Sequence, residues 1–268
     1  MYGAIIGDIA GSTYESRNAA RADFELFPAG SSFTDDTVLT IAVADAIMSG
    51  RNYKEALLEF ARRYPNAGYG MGFMKWFSRE DPRPYNSFGN GSAMRVSAVA
   101  WAFSTIDEVV EEAKKSAEPT HNHPEGIKGA QATAAAVFLA LQGKSKKEIK
   151  EFMESEFSYK LPESYQELRA TSRPNVICQE TVPQSLTCFL ESDDFEDALR
   201  KAIWLGGDSD TIACITGSVA EAFYKDIPAY MISFAEEKLD DFLLGRVRRF
   251  REQRKKRRAQ SKGHRAER

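Results

Sequence analysis

The stretch Gly206-Gly207-Asp208-Ser209-Asp210-Thr211 runs directly into an apolar segment through Ile212, Ile215, Val219 and Phe223, so a helix has to begin inside a cluster of oxygen ligands. A single Asp, Ser or Thr oxygen is enough to satisfy the free amides of a first helical turn. The four residues from Asp208 to Thr211 exceed that need. A second start of the same kind lies about 170 residues earlier, where Ser32-Phe33-Thr34-Asp35-Asp36-Thr37 leads into Val38, Leu39, Ile41 and Ala42. Capping accounts for one carboxylate per helix and leaves the others unexplained. Carboxylate and hydroxyl oxygens are the donors that Mg²⁺ and Mn²⁺ prefer, whereas softer metals need Cys or His. If the two starts face each other they form a two-metal site, with ions about 3.5–4 Å apart.

The remainder of the chain places that site in a helical body. With 268 residues, 43% of them hydrophobic, there is material for one large domain or two small ones. Gly3, Gly7 and Gly11 recur every four residues and line one side of an N-terminal helix with residues lacking a side chain, which calls for close helix packing. These glycines resemble a dinucleotide fingerprint only superficially, because no strand precedes them. Asp8 is a polar residue inside this apolar segment, and Glu15 ends it as an ordinary surface acid on local grounds. Tyr53, Ala56, Leu57, Phe60 and Ala61 share one helical face, and prolines between Arg79 and Pro84 mark a loop.

Helices are further expected over 107–117, 127–141, 144–172 with a break at Pro162, from Val182 through Phe189, and from 196 to 204. No alternating apolar run of strand type appears. The expected fold is all-α, with many helices packed around a central small-residue helix pair.

Two more stretches offer ligand contacts. Ser87-Phe88-Gly89-Asn90-Gly91-Ser92-Ala93-Met94-Arg95 puts glycines and amides at the head of a helix, which suits a phosphate as well as a plain turn with a Ser cap. Thr120-His121-Asn122-His123-Pro124-Glu125-Gly126 holds two of the three histidines. No further suitably spaced His or Cys completes a zinc site. Either His121 or His123 points into a cleft to meet a ligand, or the pair orders its loop.

Charge is divided unevenly. Arg246 to Arg268 carries 12 Lys/Arg against 2 Glu, a net of +10, which leaves −13 on the other 245 residues, 24 basic against 37 acidic. A domain over 1–245 followed by a basic tail over 246–268 is expected, the tail a solvated helical extension or a contact for nucleic acid. No aromatic residue interleaves the basic run after Phe250, so base stacking has little support. No apolar run reaches the ~20 residues of a membrane span, and the N-terminus lacks signal-peptide features. Cys178, Cys188 and Cys214 have no metal spacing and read as buried free thiols. A soluble, cytoplasmic protein is the expectation.

Taken together, the motifs Gly7-Asp8-x-x-Gly11-x-x-x-Glu15, Thr34-Asp35-Asp36-Thr37, Gly89-Asn90-Gly91-Ser92-Ala93-Met94-Arg95, His121 to Gly126 and Gly206 to Thr211 resemble, in order and spacing, the ADP-ribosylglycohydrolases. That group includes the enzyme that reverses dinitrogenase reductase ADP-ribosylation. The resemblance runs from about Met1 to Tyr224, after which Lys225 stands where similar sequences often carry Gly. It implies an all-helical fold, a compact multi-helix orthogonal bundle with two Mg²⁺ ions, or Mn²⁺ in their place, in a central cleft. It further implies that Thr34, Asp35, Asp36, Asp208, Asp210 and Thr211 are metal ligands, with Glu15, Asp35 and Asp208 in catalysis. Phe88, Gly89, Asn90, Gly91, Ser92 and Ala93, with His123 nearby, would hold the diphosphate and adenosine side of ADP-ribose. Such a site would cleave the glycosidic bond between C1 of the distal ribose and an acceptor. The clustering of four Asp with Thr neighbours differs from a metal-free carboxylate pair of ordinary glycosidases. A metal-dependent phosphatase or pyrophosphatase uses the same donors, and a non-catalytic ADP-ribose reader would keep the binding loop.

Overall fold

The structure, a computed structural model, describes residues 1–19 and 21–266, with side chains described as far as residue 256. Its helices are α1 (Tyr2–Gly11), α2 (Asp35–Ser49), α3 (Tyr53–Arg63), α4 (Met71–Phe77) and α5 (Gly91–Met94). They continue with α6 (Ser97–Ala102), α7 (Ile106–Ala117), α8 (Pro124–Leu141), α9 (Lys146–Phe157) and α10 (Tyr165–Thr171). The last five are α11 (Cys178–Leu190), α12 (Phe195–Leu205), α13 (Ser209–Tyr224), α14 (Ala229–Lys238) and α15 (Asp241–Ala266). Among the described residues there is no strand, and one antiparallel bridge joins Gly89 to Ile177. None of the described helices is long and apolar enough to cross a membrane.

The centre of the molecule is α1 against α13, with α2, α8, α11 and α12 packed around them. All ten residues of α1 are buried. The glycine stripe sets the distance between the two axes: a Cβ built on Gly3 would lie 2.0 Å from the carbonyl oxygen of Gly217, and one on Gly7 would lie 2.1 Å from that of Ala213. One on Gly11 would come within 2.5 Å of Asp210 Cα. Backbone therefore touches backbone along the whole pair. Ile5, Ile6 and Ile9 point the other way into the core and are fully buried, each contributing about 1.5–3 kcal/mol by leaving water.

Local chemistry sets most boundaries. Thr105 and Glu108 form a reciprocal capping box at the start of α7, as Ser145 and Glu148 do for α9. Pro124 occupies the first turn of α8, where its missing N–H is harmless. The helix expected from Val182 begins earlier, at Cys178, so Pro183 lies inside α11. The start is set by tertiary pairing, since the Cys178 N–H donates to the Phe88 carbonyl at 3.0 Å. A proline tolerated there forgoes one helical bond.

The expected boundary at 246 also falls inside a helix. Val247 and Phe250 are buried in the core, Arg246 lies 2.8 Å from the Asp45 carboxylate, and the Arg254 guanidinium sits 3.6 Å from the centroid of the Trp101 ring. The start of α15 thus belongs to the packed body, and Arg246 and Arg254 are engaged by it. The tail's side chains beyond 256 lie outside the described residues. Cys178, Cys188 and Cys214 are all free and buried.

Lys225, the departure noted from sequence, closes α13 in the left-handed conformation, with φ 61°. That region favours glycine, so the lysine carries strain at a helix end where glycine would not. Lys225→Gly should stabilise the fold by about 1 kcal/mol, and Gly7→Ala, which forces a methyl into the α1–α13 contact, should destabilise it by about 3 kcal/mol or more. Urea unfolding of the two variants checks both signs.

Candidate active site

The α1–α13 contact brings the end of one helix to the beginning of the other. Gly11 lies against Asp210, and the Ser209 hydroxyl donates to the Gly11 carbonyl at 2.9 Å. Asp8, one turn before Gly11, turns toward α2. Its carboxylate accepts the Thr34 N–H at 2.9 Å, the Thr34 hydroxyl at 2.6 Å and the Thr37 N–H at 3.1 Å. A carboxylate of α1 thereby serves as the anion at the N-terminus of α2, where free amides and the helix dipole favour negative charge. The two acidic helix starts meet at this point.

The acids form two overlapping groups. Oxygens of Asp8, Asp36 and Asp210 lie within 4.8 Å of one another, as do those of Glu15, Asp208 and Asp210, so Asp210 belongs to both. Polar neighbours aim them. The Thr211 hydroxyl donates to Asp36 at 3.2 Å, and the Asn90 amide donates to Asp208 at 2.6 Å. Asp36 Oδ1 is buried with no hydrogen-bond partner among the described residues. Burial pushes the carboxyls of Asp36 and Asp210 well above the usual range. Each charged neighbour then raises them further: Asp210, Asp8, Asp35 and Asp208 act on Asp36, and Asp208, Asp8 and Glu15 act on Asp210. Burial, with Asp8 beside it, takes Asp35 to about 8, and burial takes Asp8 to about 6 against the Thr34 and Thr37 hydrogen bonds. Glu15 is raised by desolvation and by Asp208. Such a concentration of buried negative charge is costly to ionise without a cation, and the donor set is all oxygen.

All of these acids but Asp8 line a cleft of about 330 Å³. Glu15, Thr34, Asp35 and Asp36 line one side, and Asp208, Asp210 and Thr211 another. Gly89, Asn90 and Gly91 form a third wall, held by the Asn90 N–H donating to the Val176 carbonyl at 2.9 Å. Gly68, Gly70, Gly72, Phe73, Tyr85 and Val176 also line it, together with Leu39, Ser87, Met94, Arg95 and His121.

Four of the residues expected at the site do not line it. Ser92 is buried beneath the loop, its hydroxyl donating to the Gly126 carbonyl at 2.7 Å, and Ala93 is in the core, because the single turn of α5 directs both inward. Phe88 is 43% exposed and rests against the His123 ring, with centroids 5.1 Å apart. His123 is committed to capping α8, its Nδ1 accepting the Glu125 N–H at 3.1 Å. The histidine in the cleft wall is His121, which is buried beside Gly89 and Gly91. Burial and the nearby Arg95 cation hold it well below its ordinary pKa, and so neutral. Asp8 was absent from the expected site. The signal for it was its isolation as the one acid in an apolar helix whose glycines demand burial on every side.

A carboxyl group with a higher pKa in the folded than in the unfolded chain keeps its proton better when folded. Its contribution to stability is therefore present at low pH and is lost as pH rises through the folded value. With Asp8 at about 6 and Asp35 at about 8, the chain in EDTA should lose stability between about pH 4 and pH 8. Asp36→Asn should raise its melting temperature at pH 8 by about 3 °C or more, with little gain at pH 5. Thermal melts across that range in EDTA check both.

Comparison with known proteins agrees with this architecture. The family model described as ADP-ribosylglycohydrolase matches residues 1–259. ADP-ribosylhydrolase ARH3 of Bos taurus is 30% identical, the match covering 84% of this chain and 83% of that protein. ADP-ribosylarginine hydrolase Tri1 of Pseudomonas putida (strain GB-1) is 26% identical over 84% of this chain and 69% of its own length. A solved structure titled "ADP-ribosylglycohydrolase-related protein complex" shares the fold with a TM-score of 0.68 at 22% identity, covering 93% of this chain and 96% of that one. The chain belongs to the ADP-ribosylglycohydrolase family.

Proposed function

We propose that this chain hydrolyses the glycosidic bond between C1 of the distal ribose of ADP-ribose and an acceptor, releasing ADP-ribose, with two Mg²⁺ ions, or Mn²⁺ in their place. The observation that carries the reading is the pair of all-oxygen carboxylate groups sharing the buried Asp210 beside a glycine-walled cleft. Asp36 and Asp210 would hold one ion, Asp208 and Asp210 the other, with Thr34, Asp35, Thr211 and Glu15 as the remaining oxygen donors. Bound there, the ions supply positive charge and Lewis acidity beside the bond to be cleaved.

The side chains do the rest of the work. Asp8 and Asn90 hold Thr34 and Asp208 in place through the hydrogen bonds described above. Glu15, the exposed member of its group and raised in pKa, is suited to move a proton between the reacting water or leaving group and solvent. Gly89 and Gly91 let the ligand approach the backbone closely, and His121 offers a ring nitrogen from the same wall. Phe88, exposed between the cleft-lining Ser87 and Gly89, offers a face for stacking a base at the mouth. The names of the relatives, an ADP-ribosylhydrolase and an ADP-ribosylarginine hydrolase, support ADP-ribosylated substrates.

Incubation with arginine- and serine-ADP-ribosylated peptides should release free ADP-ribose from at least one of them with Mg²⁺, and not in EDTA. AMP or phosphate as products would instead establish phosphorus chemistry, and binding of ADP-ribose without turnover of any conjugate would establish a reader. Asp208→Asn should lower the rate about 1,000-fold, equivalent to about 4 kcal/mol of transition-state stabilisation, without loss of helical content.

A further inference from the structure

Arg95 is one of the largest fully buried side chains of the molecule, and it forms no ion pair among the described residues, although the Asp35 charge acts on it from a distance. Its Nη2 donates to the Ser116 carbonyl at 2.9 Å and to the Thr120 hydroxyl at 2.9 Å, while Nε and Nη1 have no hydrogen-bond partner among the described residues. Burial lowers its pKa to about 10, which leaves it a cation at neutral pH. The side chain has no solvent-accessible surface, and it stands in the cleft wall with its Nη2 committed to Ser116 and Thr120.

What it holds is Thr120, and Thr120 holds His121. The Thr120 Oγ1 and His121 Nδ1 are 2.7 Å apart. A guanidinium can only donate, so the Arg95 contact occupies a lone pair of the threonine oxygen and leaves its proton to be given elsewhere. Two acceptors are within reach: His121 Nδ1 at 2.7 Å, and the Ala117 carbonyl at 3.5 Å, the limit of a hydrogen bond. The shorter contact takes the proton. His121 Nδ1 is then the acceptor, and in a neutral imidazole the ring proton must sit on Nε2.

Nε2 faces the glycine loop. A Cβ added to Gly91 would lie 3.2 Å from it, and one on Gly89 would lie 3.7 Å away. The two glycines leave this nitrogen uncovered on the cleft side, and no protein group accepts from it among the described residues.

We infer that Arg95 and Thr120 are positioning residues, which fix His121 as the Nε2–H tautomer so that it donates a hydrogen bond to an anionic oxygen of the ligand. This inference rests on the ADP-ribose reading above only for the identity of that oxygen, a diphosphate oxygen. The buried guanidinium acts twice: it dictates the direction of the threonine proton, and its field adds to the burial that keeps the ring neutral.

Nitrogen NMR of the histidine side chains in the ligand-free protein at pH 7 tests the relay directly, with His121 assigned by its loss in His121→Gln. The expected spectrum shows Nε2 protonated and Nδ1 bare. A proton on Nδ1, or on both nitrogens, would overturn the inference whatever the activity. Thr120→Val should mix the tautomers and weaken ADP-ribose binding about tenfold, and Thr120→Ser should restore both. Unchanged tautomer and affinity in Thr120→Val would also overturn it. If Thr120→Val fails to fold, the wild-type and Thr120→Ser spectra decide. Should the wild-type protein bind no ADP-ribose, the functional reading fails, and the wild-type tautomer still judges the relay.

Discussion

Backbone contact between α1 and α13 is the constraint from which the site follows. Helix axes held apart by ordinary side chains would separate Gly11 from Asp210 and carry Asp8 away from the start of α2. With glycine at 3, 7 and 11, the two helices touch along their length, and the acids of three separate segments converge. The packing also supplies the energy. Apolar burial on the far side of α1 and along α13 offsets the unfavourable clustering of carboxylates at one end. A folded protein keeps such a cluster only when the surrounding structure determines it, which is the usual condition of a functional site.

Aiming the carboxylates requires a second layer of contacts, and that layer is drawn from distant parts of the chain. Asp8 orders the Thr34 turn, Asn90 orders Asp208, and residues 176–178 pin the loop that carries Asn90. Arg95 and Thr120 order the histidine in the same wall. Thr34, Asp36 and Asp208 are thus each held by a partner on another element, so the cleft is positioned by several elements of the bundle and by no single segment.

Much of this was legible in the sequence. Surplus oxygen ligands at two helix starts exceed any capping requirement, and a four-residue glycine period can mean little except close helix contact. Those two signals depend on local spacing. The rest depends on tertiary pairing, which spacing does not encode. His121 and His123 are indistinguishable in sequence until Pro124 commits the second to a helix cap. The start of α11 is set by the bridge to Phe88, which overrides the proline inside it. Ser92 and Ala93 belong to a glycine-rich motif, yet a single helical turn is enough to point them into the core. The basic segment beginning at Arg246 reads as a tail by charge alone, because Val247 and Phe250 are too few to register as an amphipathic face.

The central claim is that Asp210 joins two cation sites. Equilibrium binding of Mn²⁺, followed by its electron paramagnetic resonance, tests this most directly. The account predicts two ions per chain in the wild type, both lost or greatly weakened in Asp210→Asn, and one retained in Glu15→Gln. Binding of no ion to the wild type, or of two ions to Asp210→Asn with unchanged affinity, would contradict it.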